Sequence, residues 1–365
     1  LRDPVAISRI VDLAADRGGL NVLPYQGTGA AWSLAGAIGD RADVPVSVGA
    51  PPPTLTRRVN DKLWFARRVA DVLGERALPP SAQAHGLAVL AGRVRALARE
   101  HDRIAIKLPS ASAAAGNIVI HAEPLRGLSL TALRDVLGRV LTALGWRRAF
   151  PVLVSVWESP VLTSPSIQLW IPRLGAGAPL VEGVFEQRVS PEIGEFMGAA
   201  PSGLPARWQI RMAHEAVRLA TLFQELGYYG RCSMDAILVG PSLDDAELHW
   251  VETNGRWGGT SIPMTLVNRL AGDWTRHSFV VSRVPYVGPD GGPPFAELLD
   301  RTAGRLFRPG EDAGGLVYLT PTLPRAARGI DVMVIASDPA AAWRELAEVT
   351  RELIGGASAT TASPA

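Results

Sequence analysis

Alternating apolar and polar blocks divide the chain into predicted helices and strands. Residues 4–48 predict a helix, the strand "LNVLPY", a glycine turn, a second helix and the strand "VPVSV". The turn contains Gly27 and Gly29 but lacks a third glycine in register and a ribose-binding acid. We therefore interpret it as a tight strand-to-helix turn rather than a dinucleotide-binding loop. A proline-rich stretch at residues 49–54 ends this small α/β unit.

The rest of the chain mixes both periodicities. Asn60 is the predicted N-cap of a helix through "DKLWFARRVADVLGE". Helical spacing also predicts helices near residues 86–99, 129–144 and 207–226, and in "DPAAAWRELAEVTRELI". Strands are predicted in "RIAIKLP", "NIVIH", "FPVLVSVWE", "SIQLWIP", "LVEGVFEQRV", "GRCSMDAILVG", "ELHWVETNG" and "GIDVMVIAS". This mixture predicts an α/β protein with α+β lobes, and residues 356–365 have a composition typical of disorder.

Two polar-bearing strands are predicted to pair as a hairpin around the turn at residues 240–246. A pairing centred in that turn places Asp235 opposite Glu252. It also places Ser233 opposite Asn254, and directly opposed side chains share one face of a sheet. The hairpin is therefore expected to gather carboxylate and amide oxygens on one face.

These oxygens suit a hard cation such as Mg²⁺, because Asp235, Glu252 and Asn254 offer two carboxylates and an amide carbonyl. The alternative is that the acids merely form the solvated side of a sheet. Both acids lie in segments that are apolar on both faces, where an uncompensated charge is costly, and this favours the metal site. Glycines around Arg256 would let backbone amides approach an anion, and the guanidinium would bind carboxylate or phosphate.

Lysine usage adds a second candidate site, because Lys62 and Lys107 are the only lysines among 37 basic residues. A GC-rich genome would explain the scarcity of lysine but not the positions where it survives. A retained lysine is typical of a place where a compact ammonium is needed. Lys107 precedes a small-residue loop in which Ser110 and Ser112 are predicted to contact phosphates, although the loop is not a Walker A motif.

Composition limits the functional class. The chain of 365 residues has a formal charge of +2, scattered arginines and no apolar run long enough for a membrane span, so neither nucleic acid nor membrane is an expected partner. A single cysteine, Cys232, excludes an intrachain disulfide. No signal-peptide pattern is present, which makes a cytoplasmic location the expectation. Because the chain begins with Leu1, we expect some N-terminal sequence to be missing.

Together, these motifs resemble the ATP-grasp superfamily of carboxylate-amine ligases. The resemblance rests on "NDKLWFARRV", "AIKLPSASAAAGN", "VLVSVWE", "SMDAILV" and "WVETNGRWGG". Within that superfamily, the arrangement is most similar to bacterial peptide ligases of the pheganomycin type. The resemblance implies a pre-ATP-grasp domain at residues 1–54 and an N-terminal lobe with a phosphate lid at 55–156. It also implies a C-terminal lobe with the metal hairpin at 157–285, an α/β extension at 286–355 and a disordered tail at 356–365.

The resemblance also implies a role for each candidate site residue. Nucleotide contacts are implied for Lys62, Lys107, Ser110, Ser112, Glu158 and Gln168. Metal ligation is implied for Asp235, Glu252 and Asn254, and a catalytic role for Arg256 and Lys107. Gln168 is a departure, because an acid for the ribose is expected there. A second departure is the lid, which has one glycine, Gly116, where relatives have several.

The implied chemistry is amide or peptide bond formation through an acyl phosphate, with release of ADP and phosphate. It requires ATP, Mg²⁺ or Mn²⁺, an amino-acid-like or peptide carboxylate donor and an amine acceptor, and it allows a homodimer. Two alternatives remain open: ATP-dependent phosphoryl transfer without ligation, and a nucleotide-binding scaffold without turnover. Cys232 is expected to be a small strand residue, and Arg325 and Arg328 are candidates for a substrate carboxylate or simply solvated loop residues.

Overall fold

The computed structural model describes residues 3–108, 117–143, 146, 150–190, 192, 194–285, 294–310, 314–320 and 329–354. They fall into two compact units. The first unit is drawn from residues 1–184, 191–195 and 204–257, and the second from residues 185–190, 196–203 and 258–365. The division falls inside one strand, Leu180–Val189, so each unit receives part of it.

The helices and strands alternate along most of the chain, as expected for a mixed α/β protein. The helices are α1 (Pro4–Arg17), α2 (Gly29–Ala42), α3 (Pro53–Val59), α4 (Lys62–Leu73), α5 (Leu87–Leu97), α6 (Leu130–Ala143), α7 (Ala206–Glu225), α8 (Ser261–Leu270), α9 (Phe295–Arg301) and α10 (Pro339–Ile354). The strands are β1 (Leu20–Val22), β2 (Val46–Val48), β3 (Ser81–Ala84), β4 (Arg103–Lys107), β5 (Asn117–His121), β6 (Val152–Val156), β7 (Val161–Ile171), β8 (Leu180–Val189), β9 (Phe196–Pro201), β10 (Gly230–Val239), β11 (Glu247–Asn254), β12 (Ser278–Pro285), β13 (Gly315–Tyr318) and β14 (Gly329–Ala336). Within the described ranges, no helix combines the length and apolar character needed to cross a membrane.

The first unit begins with the small α/β segment that the periodicity predicts. Strands β1 and β2 pair in parallel, and the helices α1 and α2 precede and connect them. Asp3 caps α1 by accepting hydrogen bonds from the Val5 and Ala6 amides at 3.0 and 3.1 Å. A Cβ at Gly27 would collide with the Pro51 carbonyl oxygen, so this position needs glycine for close packing.

A sheet with the strand order β3–β6–β4–β5 forms the next part of the first unit. Each neighbouring pair in it is antiparallel. Helices α5 and α6 supply apolar residues such as Leu90, Val94, Leu133 and Leu137 to the core that these strands share. Lys107 is the last residue of β4 and is held in register opposite Asn117 on β5.

Asn60 is not the N-cap of α4, which corrects the sequence-based prediction. The cap is Asp61, whose Oδ1 accepts hydrogen bonds from the Leu63 and Trp64 amides at 2.8 and 3.1 Å. The reason is that Asn60 is the C-cap of α3, so the chain leaves helical geometry only at Asp61. Asn60 instead accepts a hydrogen bond from the Gly255 amide at 3.1 Å and thereby holds the end of β11.

The other sheet of the first unit has the order β11–β10–β7–β8, and α7 packs against it. The predicted hairpin register is confirmed, because Asp235 pairs with Glu252 and Ser233 with Asn254. On the other side of β10, Asp235 pairs with Ser166 and Ser233 with Gln168.

A β-bulge interrupts the hairpin just beyond the Asp235–Glu252 pair, which the sequence analysis did not predict. The next pair joins Ala236 to Trp250, so Val251 is the extra residue on β11. The bulge lets Glu252 share a face with Asp235 while Trp250 turns into the apolar core, where it is fully buried. Without it, strict alternation would place the indole and the carboxylate on the same face.

The strands of the second unit follow the order β8–β9–β12–β14–β13. Helix α10 turns an apolar stripe into the core of this unit, with Ala342, Leu346, Val349 and Leu353 buried at helical spacing. On the same helix, Glu345, Glu348 and Glu352 form ion pairs with Arg305.

Candidate active site

Three neighbouring strands of the first unit present polar side chains on one face. The residues are Glu252, Asp235 and Ser166 in one row, and Asn254, Ser233 and Gln168 in the next. The opposite face of β10 carries Cys232, Met234 and Ala236, which belong to the apolar core. The two faces of β10 therefore differ at these positions, one being polar and the other part of the apolar core.

A chain of hydrogen bonds fixes the polar row. The Gln168 amide donates to Ser166 Oγ at 3.0 Å, and the Ser166 hydroxyl donates to Asp235 Oδ1 at 2.6 Å. From the other side, Asn254 Nδ2 donates to Asp235 Oδ2 at 3.0 Å. Gln168 and Ser166 are buried, so these bonds are shielded from water and orient the Asp235 carboxylate.

Arg256 continues this chain to the N-terminal segment. Its Nη2 donates to Asn254 Oδ1 at 2.8 Å, and its Nη1 donates to the Tyr25 hydroxyl at 2.7 Å. The guanidinium also lies 5.6 Å from the centroid of the Tyr25 ring. The Tyr25 carbonyl accepts a hydrogen bond from the Trp257 amide at 3.0 Å. Arg256 is therefore oriented by contacts from two distant parts of the first unit.

Lys62 meets the polar face from the first turn of α4. Its Nζ lies 3.2 Å from Glu252 Oε2, and only 2% of the lysine side chain is exposed. A buried cation at a helix N-terminus opposes the helix dipole, so Lys62 adds little to the stability of α4 itself. Its counter-charge is a carboxylate of the hairpin, which brings the two predicted sites together.

The charges of Lys62 and Glu252 both influence the pKa of Lys107. Burial, reinforced by the positive charge of Lys62, lowers the pKa of Lys107 to about 8. The negative charges of Glu252 and Glu158 act in the opposite direction and limit the decrease. Both lysines of the chain thus converge on one acidic cluster, although 45 residues separate them in sequence (107 minus 62).

Glu158 follows β6 and forms an ion pair with a histidine. Its Oε2 lies 2.6 Å from His249 Nδ1, and His249 Nε2 lies 3.3 Å from Glu247 Oε2. Burial alone would lower the pKa of His249, but the hydrogen bonds and charges of Glu158 and Glu247 outweigh it and raise that pKa. His249 pairs with Ile237, so it belongs to the face that carries Asp235.

The donor set fits a hard cation in part. Asp235 and Glu252 provide opposed carboxylates, and their environment contains no competing thiolate because Cys232 points into the core. Asn254 turns its amide nitrogen to Asp235 and its carbonyl oxygen to Arg256. Among the described residues, no cluster of three or more His, Cys, Asp and Glu side chains could hold a metal, so an amide oxygen is needed to complete a protein ligand set.

The glycines after Asn254 serve packing in this structure. A Cβ on Gly255 would lie 2.9 Å from Tyr228 Oη and 3.1 Å from Val59 Cγ1, and the Gly255 amide already donates to Asn60. A Cβ on Gly259 would lie 2.7 Å from Phe196. The Gly258 amide donates to Ser261 Oγ at 2.9 Å. The amides of Gly255 and Gly258 are thus already engaged, in contrast to the anion-binding role suggested by the sequence.

The architecture was compared with known proteins. No protein-family model matches the chain, and no curated protein shows significant sequence similarity to it. Solved structures do match. N5-carboxyaminoimidazole ribonucleotide synthetase from Thermus thermophilus has a TM-score of 0.60 at 16% identity, covering 98% of this chain and 86% of its own.

Two further matches carry ligands. The biotin carboxylase domain dimer of Hydrogenobacter thermophilus 2-oxoglutarate carboxylase, in complex with MgADP, ADP and bicarbonate, has a TM-score of 0.59 at 14% identity, covering 94% of this chain and 76% of its own. N5-carboxyaminoimidazole synthase from Aspergillus clavatus, in complex with ADP and 5-aminoimidazole ribonucleotide, has a TM-score of 0.58 at 12% identity, covering 95% and 96%.

The chain has an ATP-grasp fold. At these identities, the similarity concerns the fold, and the chemistry has to be argued from the residues of this chain. One sheet face of the first unit or its immediate surroundings contain the described candidate residues Lys62, Lys107, Glu158, Gln168, Asp235, Glu252, Asn254 and Arg256. Four other candidate residues lie outside the described ranges: Ser110, Ser112, Arg325 and Arg328. The same is true of the rest of residues 109–116.

Several contacts around this face were not predicted from the sequence. Ser166 and Tyr25 hold Asp235 and Arg256, and no local motif distinguishes them from other polar residues. His249 is the partner of Glu158, and its only signal is a titratable side chain within an apolar strand. Cys232 is buried, which raises the pKa of its thiol to about 12 and makes a nucleophilic role unfavourable.

Proposed function

We propose that this protein is an ATP-dependent carboxylate-amine ligase that forms an amide or peptide bond through an acyl phosphate. The observation that carries the proposal is the convergence of both lysines, Lys62 and Lys107, on the face that holds Asp235 and Glu252. Two ammonium groups beside two carboxylates suit a polyphosphate bound together with a divalent cation. A likeness to structures with bound ADP and MgADP supports the same ligand class.

Each candidate residue has a proposed part in binding ATP. Lys62 and Lys107 neutralise the phosphates, and Ser110 and Ser112 would add hydroxyl contacts from the loop after β4. Glu158 contacts the adenine or ribose, and Gln168 takes the place expected for a second ribose contact. Residues 55–156 and 157–285 form the two nucleotide-binding lobes, between a pre-ATP-grasp domain at 1–54 and an extension at 286–355.

Asp235, Glu252 and Asn254 would hold Mg²⁺ or Mn²⁺. The cation supplies positive charge that offsets the charge of the phosphates during transfer. Ser166 keeps the Asp235 carboxylate oriented, because its hydroxyl donates to Oδ1. The present hydrogen bonds of Asn254 to Asp235 and Arg256 keep its side chain at the edge of this cluster.

In the first step, an oxygen of the substrate carboxylate attacks the γ-phosphorus of ATP, and the bond from that phosphorus to ADP breaks. Arg256 binds the carboxylate or the transferred phosphoryl group. In the second step, an amine attacks the acyl carbon, phosphate leaves, and the amine loses a proton. The protein contributes positioning and positive charge and forms no covalent intermediate with substrate.

The test requires no knowledge of the substrates for its first part. ATP binding is measured by calorimetry with and without Mg²⁺ on the full chain and on Asp235→Asn. The matched control is Asp331→Asn, which neutralises another strand acid, paired with Arg283 at 2.9 Å in the second unit. We expect Asp235→Asn to weaken binding in the presence of Mg²⁺ by about tenfold or more, the effect of losing one charged contact, and the control to bind like the wild type.

Turnover is then tested by ADP release with panels of carboxylates, using hydroxylamine as a surrogate amine. Formation of a hydroxamate would establish the acyl phosphate. Stable phosphorylated product without hydroxamate would indicate phosphotransfer instead, and nucleotide binding without turnover on any panel member would favour the scaffold function. If the folded wild type binds no ATP with or without Mg²⁺, the proposal is refuted.

The finer assignment is also a proposal. The arrangement of motifs supports a peptide ligase of bacterial natural-product biosynthesis, similar to the pheganomycin type, with amino-acid-like or peptide substrates. A homodimer is compatible with the dimer of the biotin carboxylase domain. Sedimentation of the purified chain would test that state directly.

A further inference from the structure

A buried charged pair lies on the same sheet face as the carboxylate cluster, four residues nearer the start of β10 than Asp235. Arg231 pairs with Trp170 on β7, in the row that follows Ser233 and Gln168. The Arg231 side chain is 10% exposed and forms an ion pair with Glu182 on β8, whose side chain is 27% exposed. Along the strand, Arg231 lies about 13 Å from Asp235, so a substrate whose α-carboxylate and α-ammonium bind at Arg231 and Glu182 would direct its side chain toward the carboxylate cluster.

Two indole rings flank the guanidinium of Arg231. Its central carbon lies 4.5 Å from the centroid of the Trp257 ring and 5.5 Å from that of Trp170. Trp257 directly follows Arg256, so the rings connect this pair to the residues around Asn254. Stacking of this kind fixes a guanidinium in one orientation and excludes water from its faces.

The pair is poorly explained as a purely structural feature. Buried ion pairs seldom add net stability, because the desolvation of both ions offsets their attraction. Among the described residues, Arg231 Nε has no hydrogen-bond partner although it is fully buried. A guanidinium has more N–H donors than one carboxylate can accept, so donors remain that a ligand carboxylate can use.

We propose that Arg231 and Glu182, held between Trp170 and Trp257, recognise the zwitterionic end of an α-amino acid substrate. The guanidinium binds the α-carboxylate and the Glu182 carboxylate binds the α-ammonium. Because the two protein charges are in contact, the ligand has to carry its opposite charges on groups attached to the same carbon or to adjacent carbons. An α-amino acid meets this condition, whereas bicarbonate has no cation and an extended peptide has separated termini. The inference rests on the proposed ligase function and names one of its substrates.

The probes are the proteinogenic L-amino acids, each titrated separately into the full chain by calorimetry, with and without ADP and Mg²⁺. For the tightest binder, the N-acetyl form lacks the ammonium and the methyl ester lacks the carboxylate. We expect the wild type to bind each capped form about tenfold or more weakly than the zwitterion, the loss of one charged hydrogen bond.

The variants separate recognition from a structural role by a reciprocal pattern. Glu182→Gln should bind the zwitterion and the N-acetyl form equally but still prefer the zwitterion to the methyl ester. Arg231→Met should bind the zwitterion and the methyl ester equally but still prefer the zwitterion to the N-acetyl form. A merely structural pair would weaken all three ligands equally. Arg211→Met is the matched control, because Arg211 on α7 also lies near an indole, 5.4 Å from the Trp208 centroid, and also forms an ion pair, with Glu215 at 2.9 Å.

Folding is checked by circular dichroism and thermal melting, and ADP binding is measured on the same samples. If Arg231→Met fails to fold, Arg231→Lys is used instead, because it keeps the positive charge but not the paired N–H donors of the guanidinium. It should still reduce the preference for the zwitterion over the methyl ester. Absence of amino-acid binding to the wild type, or unchanged preferences in the folded variants, would overturn the inference. Amino-acid binding by a wild type that binds no nucleotide would refute the proposed function alone.

Discussion

The two lysines offer a direct test of the electrostatics of the site, through the charge state of Lys107. Its pKa is lowered from the ordinary value of 10.5 to about 8, first by burial and then by the charge of Lys62. The difference of about 2.5 pKa units (10.5 minus 8) corresponds to about 3 kcal/mol between the two charge states. At pH 7, about a tenth of the Lys107 side chains would therefore be neutral.

The perturbation is Lys62→Met, which removes the neighbouring positive charge and keeps an unbranched side chain of similar length. Because Lys62 lowers the pKa of Lys107, its removal should raise that pKa. Glu252→Gln should act in the opposite direction, since the Glu252 charge raises the pKa of Lys107. Lys62→Arg preserves the charge and is the matched control, so its effect should be the smallest of the three.

The assay is the pH dependence of labelling by an amine-reactive reagent, read by mass spectrometry of the peptide that contains Lys107. With two lysines in the chain, each labelled side chain is assigned without ambiguity. The wild-type midpoint should lie near pH 8 and rise in Lys62→Met. A wild-type midpoint near 10.5, or one that does not change in Lys62→Met, would refute the convergence of the lysines.

Three further predictions concern single positions. Asp61→Ala should lower the free energy of unfolding by about 1 kcal/mol through loss of the α4 cap, as measured by urea unfolding. A decrease of that size in Asn60→Ala, with none in Asp61→Ala, would contradict the assignment of the cap. Gly255→Ala should lower the free energy of unfolding by about 1–3 kcal/mol, because the new Cβ would collide with Tyr228. A variant as stable as the wild type in urea unfolding would show that this contact is not tight. The pKa of His249 is raised above 6.5 in the folded state, so its ion pair stabilises the fold fully below pH 6.5, and this contribution is lost as pH rises through the folded pKa. His249→Gln should therefore remove this pH dependence from the thermal melting temperature. A pH profile unchanged by the substitution would argue against the contact of His249 with Glu158.

The hairpin was the part of the site most accessible to sequence reasoning. Its polar positions recur at a spacing of two on both arms, and a short turn leaves few ways to pair them. The register of Asp235 with Glu252 followed from that pattern alone. The order of the strands was not predictable in this way, because contacts such as that of Asp235 with Ser166 join strands that are 69 residues apart.

Local patterns were insufficient where two neighbouring residues have similar propensities. Asn60 and Asp61 are both good N-cap residues, and the choice depended on where the preceding helix ends. The glycines near Arg256 were interpreted as an approach for a ligand, whereas the aromatic ring of Tyr228 provides the actual constraint on Gly255. The resemblance implies a nucleotide contact for Glu158, but no local pattern indicates its histidine partner, which lies 91 residues away in sequence.

The extra residue at Val251 makes the length of β11 as important as its composition. Deleting it would bring Trp250 and Glu252 to consecutive positions, so regular alternation would still place the indole in the core and the carboxylate on the polar face. The loss would be the local bend and twist of the bulge, whereas a deletion elsewhere in β11 would change which face the residues beyond it occupy. In an evolving or engineered version of this chain, the hairpin should therefore accept the loss of a residue at Val251 far more readily than a loss at another position of β11.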